Sequence, residues 1–235
     1  MLQGFVASNP VKATRRRDTG KRIPYLFDLN DAKRLLELVR VLPDRSRAPH
    51  RAQTYEMIFA LLYGLGLRVG EAVRLKLEDV DFQGDTLFIR ETKFSKNRLV
   101  PLGPKLATRL RDYMEERHGG TSASDRLLFS FTKRGCICPE TVSQTFHSLV
   151  PKLGLVLPPG VSSPRLHNLR HAFAVGTLLR WYRQGIDPNC RLIHLSTFLG
   201  HVDPNSTAVY LTITEELLRE ADRRFRAFAP SGGNQ

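Results

Sequence analysis

The sequence predicts a mainly α fold with one small antiparallel β-sheet near its middle, an α+β architecture. Three observations carry this. From Asn30 onward, apolar residues recur mostly with helical spacing. Alternation of period two is confined to "DTLFIRET" and "NRLVPL", which the polar "KFSK" joins as a hairpin would. The chain has no internal repeat and no low-complexity tract.

Residues 11–22, "VKATRRRDTGKR", hold six Lys/Arg against one Asp and no helical apolar stripe. They read as an exposed basic linker, either a solvated tail or an arm lying on polyanion phosphates. At the first helix, Asn30 is the expected cap, and Leu35, Leu36 and Val39 fall on one face. "AQTYEMIFALLYGLG" is apolar on most sides and reads as a buried helix ending at glycine. "VGEAVRLKL" follows as a short helix. Beyond the hairpin, "PKLATRLRDYMEERHGG" places Pro104 near a helix start and glycines past its end. "RLLFS" is expected as a short strand, and "CPETVSQTFHSLVPKLG" starts a helix at Pro139. Stretches 164–184 and 189–228 are mostly helical, broken near Gly185, Pro188 and Pro204.

The totals narrow the function. The 235 residues suffice for one large domain, or a domain with a short extension, and 41% are hydrophobic, enough for a packed core. The formal net charge of +13 points to a polyanionic partner, most simply nucleic acid. No apolar run approaches a membrane span, and the first ten residues lack signal-peptide character. Three cysteines make no disulfide framework, so a reducing cytoplasm is the expected setting. Cys136 and Cys138 are too close in sequence for the usual zinc spacing.

Four clusters carry chemistry. "GLGLRVGEAVRL" puts Arg68 just after a buried helix. "TKFSK" puts Lys93 at a hairpin tip. "LHNLRHAFA" puts His167 and Arg170 on one helical face. "FLGHVDPNSTAVY" sets Tyr210 nine residues after His201. Each has a bland reading: Arg68 as a helix cap or a partner of Glu71, Lys93 as a solvated charge, His167 and His171 as satisfied buried histidines, Tyr210 as core.

In this order the four clusters together resemble the tyrosine recombinase, or phage integrase, family over about residues 22–228. "GLRVGEAVRLKLEDVD" resembles its first arginine box, "TKFSKNRLVPL" its lysine hairpin, "HNLRHAFA" its His-x-x-Arg box, and "LGH" with the later Tyr its last box. The resemblance implies the catalytic-domain fold of that family and a catalytic set of Arg68, Lys93, His167, Arg170, His201 and Tyr210. Glu71 is implied as support for Arg68. Arg68 and Arg170 would hold the non-bridging oxygens of a DNA phosphodiester, and His201 would donate a further hydrogen bond. His167 would take the Tyr210 proton, and Lys93 would protonate the departing 5′ oxygen. A 3′-phosphotyrosine conserves the bond energy, so no cofactor is implied; Asp79 and Asp81 are expected to pair with nearby Lys/Arg instead of holding metal.

The implied partner is double-stranded DNA, with contacts expected from Lys12, Arg15, Arg16, Arg17, Lys21, Arg22, Lys96 and Arg98. Residues 1–22 are expected to be a linker, with "GFVASNPV" resembling the tail of a missing N-terminal DNA-clamping domain, and 23–235 the catalytic domain. Its C-terminal helix, 214–228, carries an apolar stripe of Leu218, Ala221, Phe225 and Phe228. That stripe would pack on its own domain or link subunits in a DNA-bound homotetramer, the isolated domain being a monomer. "STAVYLTITEELL" looks more like recombinases of mobile elements than Xer enzymes. A type IB topoisomerase and a non-catalytic DNA-binding module are the alternatives.

Overall fold

The structure, a computed structural model, describes residues 23–90, 97–119, 126–131, 135–201 and 203–212. The expected linker 1–22, the hairpin tip with Lys93 and Lys96, and the helix 214–228 lie outside the described residues. The described elements are α1 (Leu29–Arg40), α2 (Arg51–Leu65), α3 (Val69–Val73), β1 (Val80–Asp81), β2 (Thr86–Ile89), β3 (Arg98–Pro101), α4 (Pro104–His118), α5 (Pro139–Leu149), α6 (Asn168–Arg183), α7 (Pro188–Leu199) and α8 (Asn205–Ala208). Single 3₁₀ turns occupy Leu77–Asp79, Val150–Leu153 and Val209–Thr212. The three strands form one antiparallel sheet in sequence order, as the α+β expectation has it.

Helix α2 is the axis of the domain. It is apolar on nearly every side because it packs against α1, α4 and α6. Tyr55, Ile58, Phe59, Leu61 and Leu62 are essentially fully buried along it. Phe146 of α5 closes one flank, with its ring centroid 5.9 Å from those of both Phe27 and Phe59. A smaller cluster joins α6 to α7 through Val175, Leu178, Leu195 and Leu199, and Tyr210 packs into it.

Local chemistry sets the element ends. The capping of α1 falls to Asp28, not Asn30: Asp28 accepts the Asp31 amide at 2.7 Å while Asp31 reaches back to the Asp28 amide. Both residues are competent caps; the reciprocal box with Asp31 decides between them. Pro104, Pro139 and Pro188 each open a helix, where a missing N–H costs nothing. The run "RLLFS" forms no strand. Leu127 makes one isolated bridge with Lys76, while Leu128 and Phe129 are wholly buried. A short apolar run reads the same whether it enters a sheet or crosses a core. The unforeseen β1 pairs Val80 with Leu87. Asp79 pairs with Arg90, but Asp81 accepts the backbone amides of Gln83 and Gly84 and so shapes a turn.

Candidate active site

The chain leaves α2 through Gly66, in the left-handed conformation at φ 61°. A Cβ there would lie 2.6 Å from the Phe173 ring, so glycine is required by both backbone and space. Arg68 then caps α3 in extended conformation. Glu71, one turn on and 4% exposed, accepts the Arg68 amide at 2.9 Å and its Nη1 at 2.8 Å. Arg68 Nη2 donates to the Gly200 carbonyl at 3.0 Å.

Arg98 is the second partner of Glu71, with Nη1 3.0 Å from Oε1 and Nη2 2.9 Å from Oε2. Its Nε donates to the Phe198 carbonyl at 2.8 Å. This corrects the expectation that Arg98 is a DNA contact: its guanidinium is turned inward and all three of its nitrogens are engaged. Burial alone would raise the Glu71 pKa, but the bonds from Arg98 and then Arg68 hold it below the usual carboxylate range.

Arg170, 1% exposed, donates Nη1 to the Gly66 carbonyl and Nη2 to the Leu199 carbonyl, both at 2.6 Å. Its Nε is buried without a partner. Desolvation, and next the charge of Arg68, lower its pKa to about 10, so it stays charged at neutral pH. The end of α7 now accounts for itself. Gly200 and His201 amides close a Schellman motif on the Thr197 and Ser196 carbonyls. The next three carbonyls, of Phe198, Leu199 and Gly200, each receive a different arginine: 98, 170 and 68. A helix C-terminus, rich in unpaired carbonyls and partial negative charge, thus gathers the cations.

Tyr210 lies in the turn after α8 and is 4% exposed. Its hydroxyl sits 2.8 Å from His171 Nδ1. Burial raises the phenol pKa, against the pull of Arg170 and Arg68. His201 follows α7, its Nδ1 2.6 Å from the hydroxyl of the fully buried Thr207. Its ring stacks near that of Tyr210, centroids 6.4 Å apart. His167 caps α6 and meets His171 edge-on at 4.6 Å. Although His167 keeps surface exposure, desolvation first and then the neighbouring His171 and Arg170 depress its pKa to about 4. His201 falls to about 4 as well, by burial and the charges of Arg170 and Arg68. Both rings are therefore neutral at pH 7.

The structure brings Arg68, Glu71, His167, Arg170, His201 and Tyr210 close together. Lys93, Lys96, Lys12, Arg15, Arg16, Arg17, Lys21 and Arg22 lie outside the described residues. Sequence reasoning missed Arg98 as a partner of Glu71, His171 beside Tyr210, and Thr207 behind His201. Two of these had signals. Arg98 is two residues from core Val100 on one strand, hence on the same face, and His171 is one helical turn from His167. Among the described residues, no group of three or more His, Cys, Asp or Glu side chains could hold a metal ion.

A buried tyrosine near arginines held in place by carbonyls makes a site receptive to an anion. The chain belongs to the phage integrase family, whose match covers residues 27–216. The protein y4rB of Sinorhizobium fredii, named as an integrase/recombinase, is 43% identical over 204 residues, 86% of this chain and 65% of that one. The tyrosine recombinase XerA of Pyrococcus furiosus is 31% identical over 206 residues, 87% of this chain and 63% of that one. A XerA crystal structure superposes with a TM-score of 0.67 at 26% identity, covering 88% of this chain and 65% of the other. A lambda integrase dimer bound to a core site shares the fold, with a TM-score of 0.62 at 21% identity over 88% of this chain and 53% of that one. The chain spans less than two thirds of the length of these curated relatives. No helix among the described residues is long and apolar enough to cross a membrane.

Proposed function

We propose that the protein is a site-specific DNA recombinase that cuts and rejoins strands through a 3′-phosphotyrosine made by Tyr210. The observation that carries this reading is the buried Tyr210 hydroxyl set among Arg68, Arg170 and His201. A phosphodiester repels an attacking oxygen, and two guanidinium groups offset the charge that grows in the transition state. The unpartnered Arg170 Nε is a donor ready for an acceptor oxygen. His201 is held at Nδ1 by the Thr207 hydroxyl, and in the tautomer with Thr207 as donor its Nε2 proton is free for the phosphate. Lys93 is the proposed acid for the leaving 5′ oxygen. The basic segment with Lys12, Arg15, Arg16, Arg17, Lys21 and Arg22, and Lys96 on the hairpin, supply sequence-independent phosphate contacts in this reading.

Double-stranded DNA is the partner, in the cytoplasm of a bacterial cell. Assembly into a tetramer on DNA, with the segment 214–228 docked on a neighbour, is part of the proposal; lambda integrase has been solved as a tetramer on a Holliday junction. The higher identity to y4rB, named as an integrase/recombinase, than to XerA supports an integrase-type role.

The test is a nicked suicide duplex carrying the DNA that flanks the gene in its genome. A covalent adduct on a denaturing gel, lost in Tyr210→Phe while duplex binding persists, is the expected result. Adduct formation by Tyr210→Phe would refute the assignment of the nucleophile. Relaxation of supercoils with no exchange between two marked duplexes would favour the topoisomerase reading.

A further inference from the structure

Tyr210 Oη lies 2.8 Å from His171 Nδ1, with ring centroids 5.4 Å apart and planes inclined by 59°. His167 touches the edge of His171 and makes no hydrogen bond to Tyr210 among the described residues. We propose that His171 is a catalytic residue whose Nδ1 takes the Tyr210 proton as the phenol oxygen attacks phosphorus. This rests on the strand-cutting reading above.

The step balances. The Tyr210 O–H bond breaks and its proton goes to Nδ1, giving an imidazolium. The phenol oxygen forms the new bond to phosphorus. The phosphorus bond to the 5′ oxygen breaks, and that oxygen leaves with a proton from an ammonium acid, the part proposed for Lys93. Rejoining reverses each transfer, so the departing phenol recovers its proton from His171.

Three features argue for this assignment. Acceptor and proton are already at hydrogen-bond distance, the first requirement of a general base. The phenol is buried, and its pKa lies above the ordinary value of 10, so it does not ionise unaided at neutral pH. His171 is also the residue after Arg170, on a helix whose start is fixed by the Arg170 bonds to Gly66 and Leu199. Base and phosphate clamp therefore share one rigid element. The charged and titratable groups around the His171 ring are Arg170 and His167 from its own helix, Tyr210 from the turn after α8, and His201 from the end of α7. Burial, and then Arg170, keep the ring neutral and able to accept.

The test has two arms. In long-range ¹⁵N–¹H spectra of histidine-labelled protein, Tyr210→Phe should move the His171 Nδ1 resonance and leave the tautomer of His167 as it was. In single-turnover adduct formation on nicked duplexes of randomised flanking sequence, His171→Ala and His171→Asn should both be slower by about 100-fold or more at pH 7. Asn keeps an acceptor near Nδ1 but cannot carry the proton. The rates of both variants should climb with pH as hydroxide substitutes for the base, whereas His167→Ala should keep the parental profile shape. Parental rates in His171→Asn would overturn the proposal, since positioning alone would then suffice. Transfer of the altered pH profile to His167→Ala would overturn it too. A parent that forms no adduct overturns the strand-cutting reading, and this assignment falls with it.

Discussion

Arg98 and Glu71 meet in a buried two-point ion pair, at 2.9 and 3.0 Å, between the first residue of β3 and the middle of α3. The same carboxylate grips Arg68. One acid thus fixes the orientation of a proposed phosphate ligand and anchors the start of β3.

Arg98→Met should cost about 3 kcal/mol in urea unfolding, because breaking a buried pair strands the other charge. Arg98→Lys should recover only part of it, since a single ammonium cannot match both carboxylate oxygens. A loss below about 0.5 kcal/mol would show that Glu71 is satisfied by Arg68 alone.

Gly66→Ala and Gly176→Ala should move stability in opposite directions. At Gly66 the positive φ and the 2.6 Å approach to Phe173 penalise a methyl group, for a loss of about 2 kcal/mol. At Gly176, within α6, a Cβ meets nothing within 4 Å, and Ala should stabilise by about 0.5–1 kcal/mol. Phe173 lies three residues beyond Arg170, so Gly66→Ala should also slow adduct formation. Thermal unfolding and one adduct assay decide both points; equal shifts at the two glycines would contradict the packing described.

Duplex binding should take up protons between about pH 4 and 6.5. His167 and His201 have folded pKa values of about 4, against an ordinary value near 6.5. In that window the unfolded chain binds more protons than the folded one. Stability therefore rises with pH across it and is lost on acidification. A bound phosphate reverses the local field and raises both pKa values. Calorimetry of duplex binding at pH 5.5, in two buffers of different ionisation enthalpy, should report net uptake, and release would refute the arrangement.

Thr207→Val keeps the shape of a fully buried residue and removes the hydroxyl that holds His201. A loss of about 1–2 kcal/mol is expected, with a change in His201 tautomer populations by NMR and slower adduct formation. Thr207→Ser should restore the tautomer. If the His201 signals are the same in Thr207→Val, the ring is held by something else.

Much of this was legible in the sequence, and the gaps have physical reasons. The all-round apolarity of α2 and the prolines opening α4, α5 and α7 are local signals, and local signals predict helices well. Arg68, Arg170 and the His201–Tyr210 pair lie far apart in sequence, and only the order of the motifs linked them. What failed depended on tertiary partners. "RLLFS" had strand composition but finds a single bridge at Lys76. Arg98 carries a charge that composition assigns to solvent, while the strand period assigns it to the face of Val100; the waiting Glu71 carboxylate settles the conflict. His171 was read as a buried, satisfied histidine. The partner that satisfies it is Tyr210.

The final carbonyls of α7 make that helix a ruler. Arginines 98, 170 and 68 come from a strand, from α6 and from the cap of α3, yet each is indexed to a successive peptide of one helix end. An inserted residue would advance that end by about 1.5 Å and rotate it by about 100°. All three contacts would then be misregistered together, although no arginine had changed. Substitutions along the solvent side of the helix, as at the exposed Ile193, leave the register alone. The length of α7 therefore constrains the placement of these arginines more tightly than its composition does, and an insertion there would disturb all three at once.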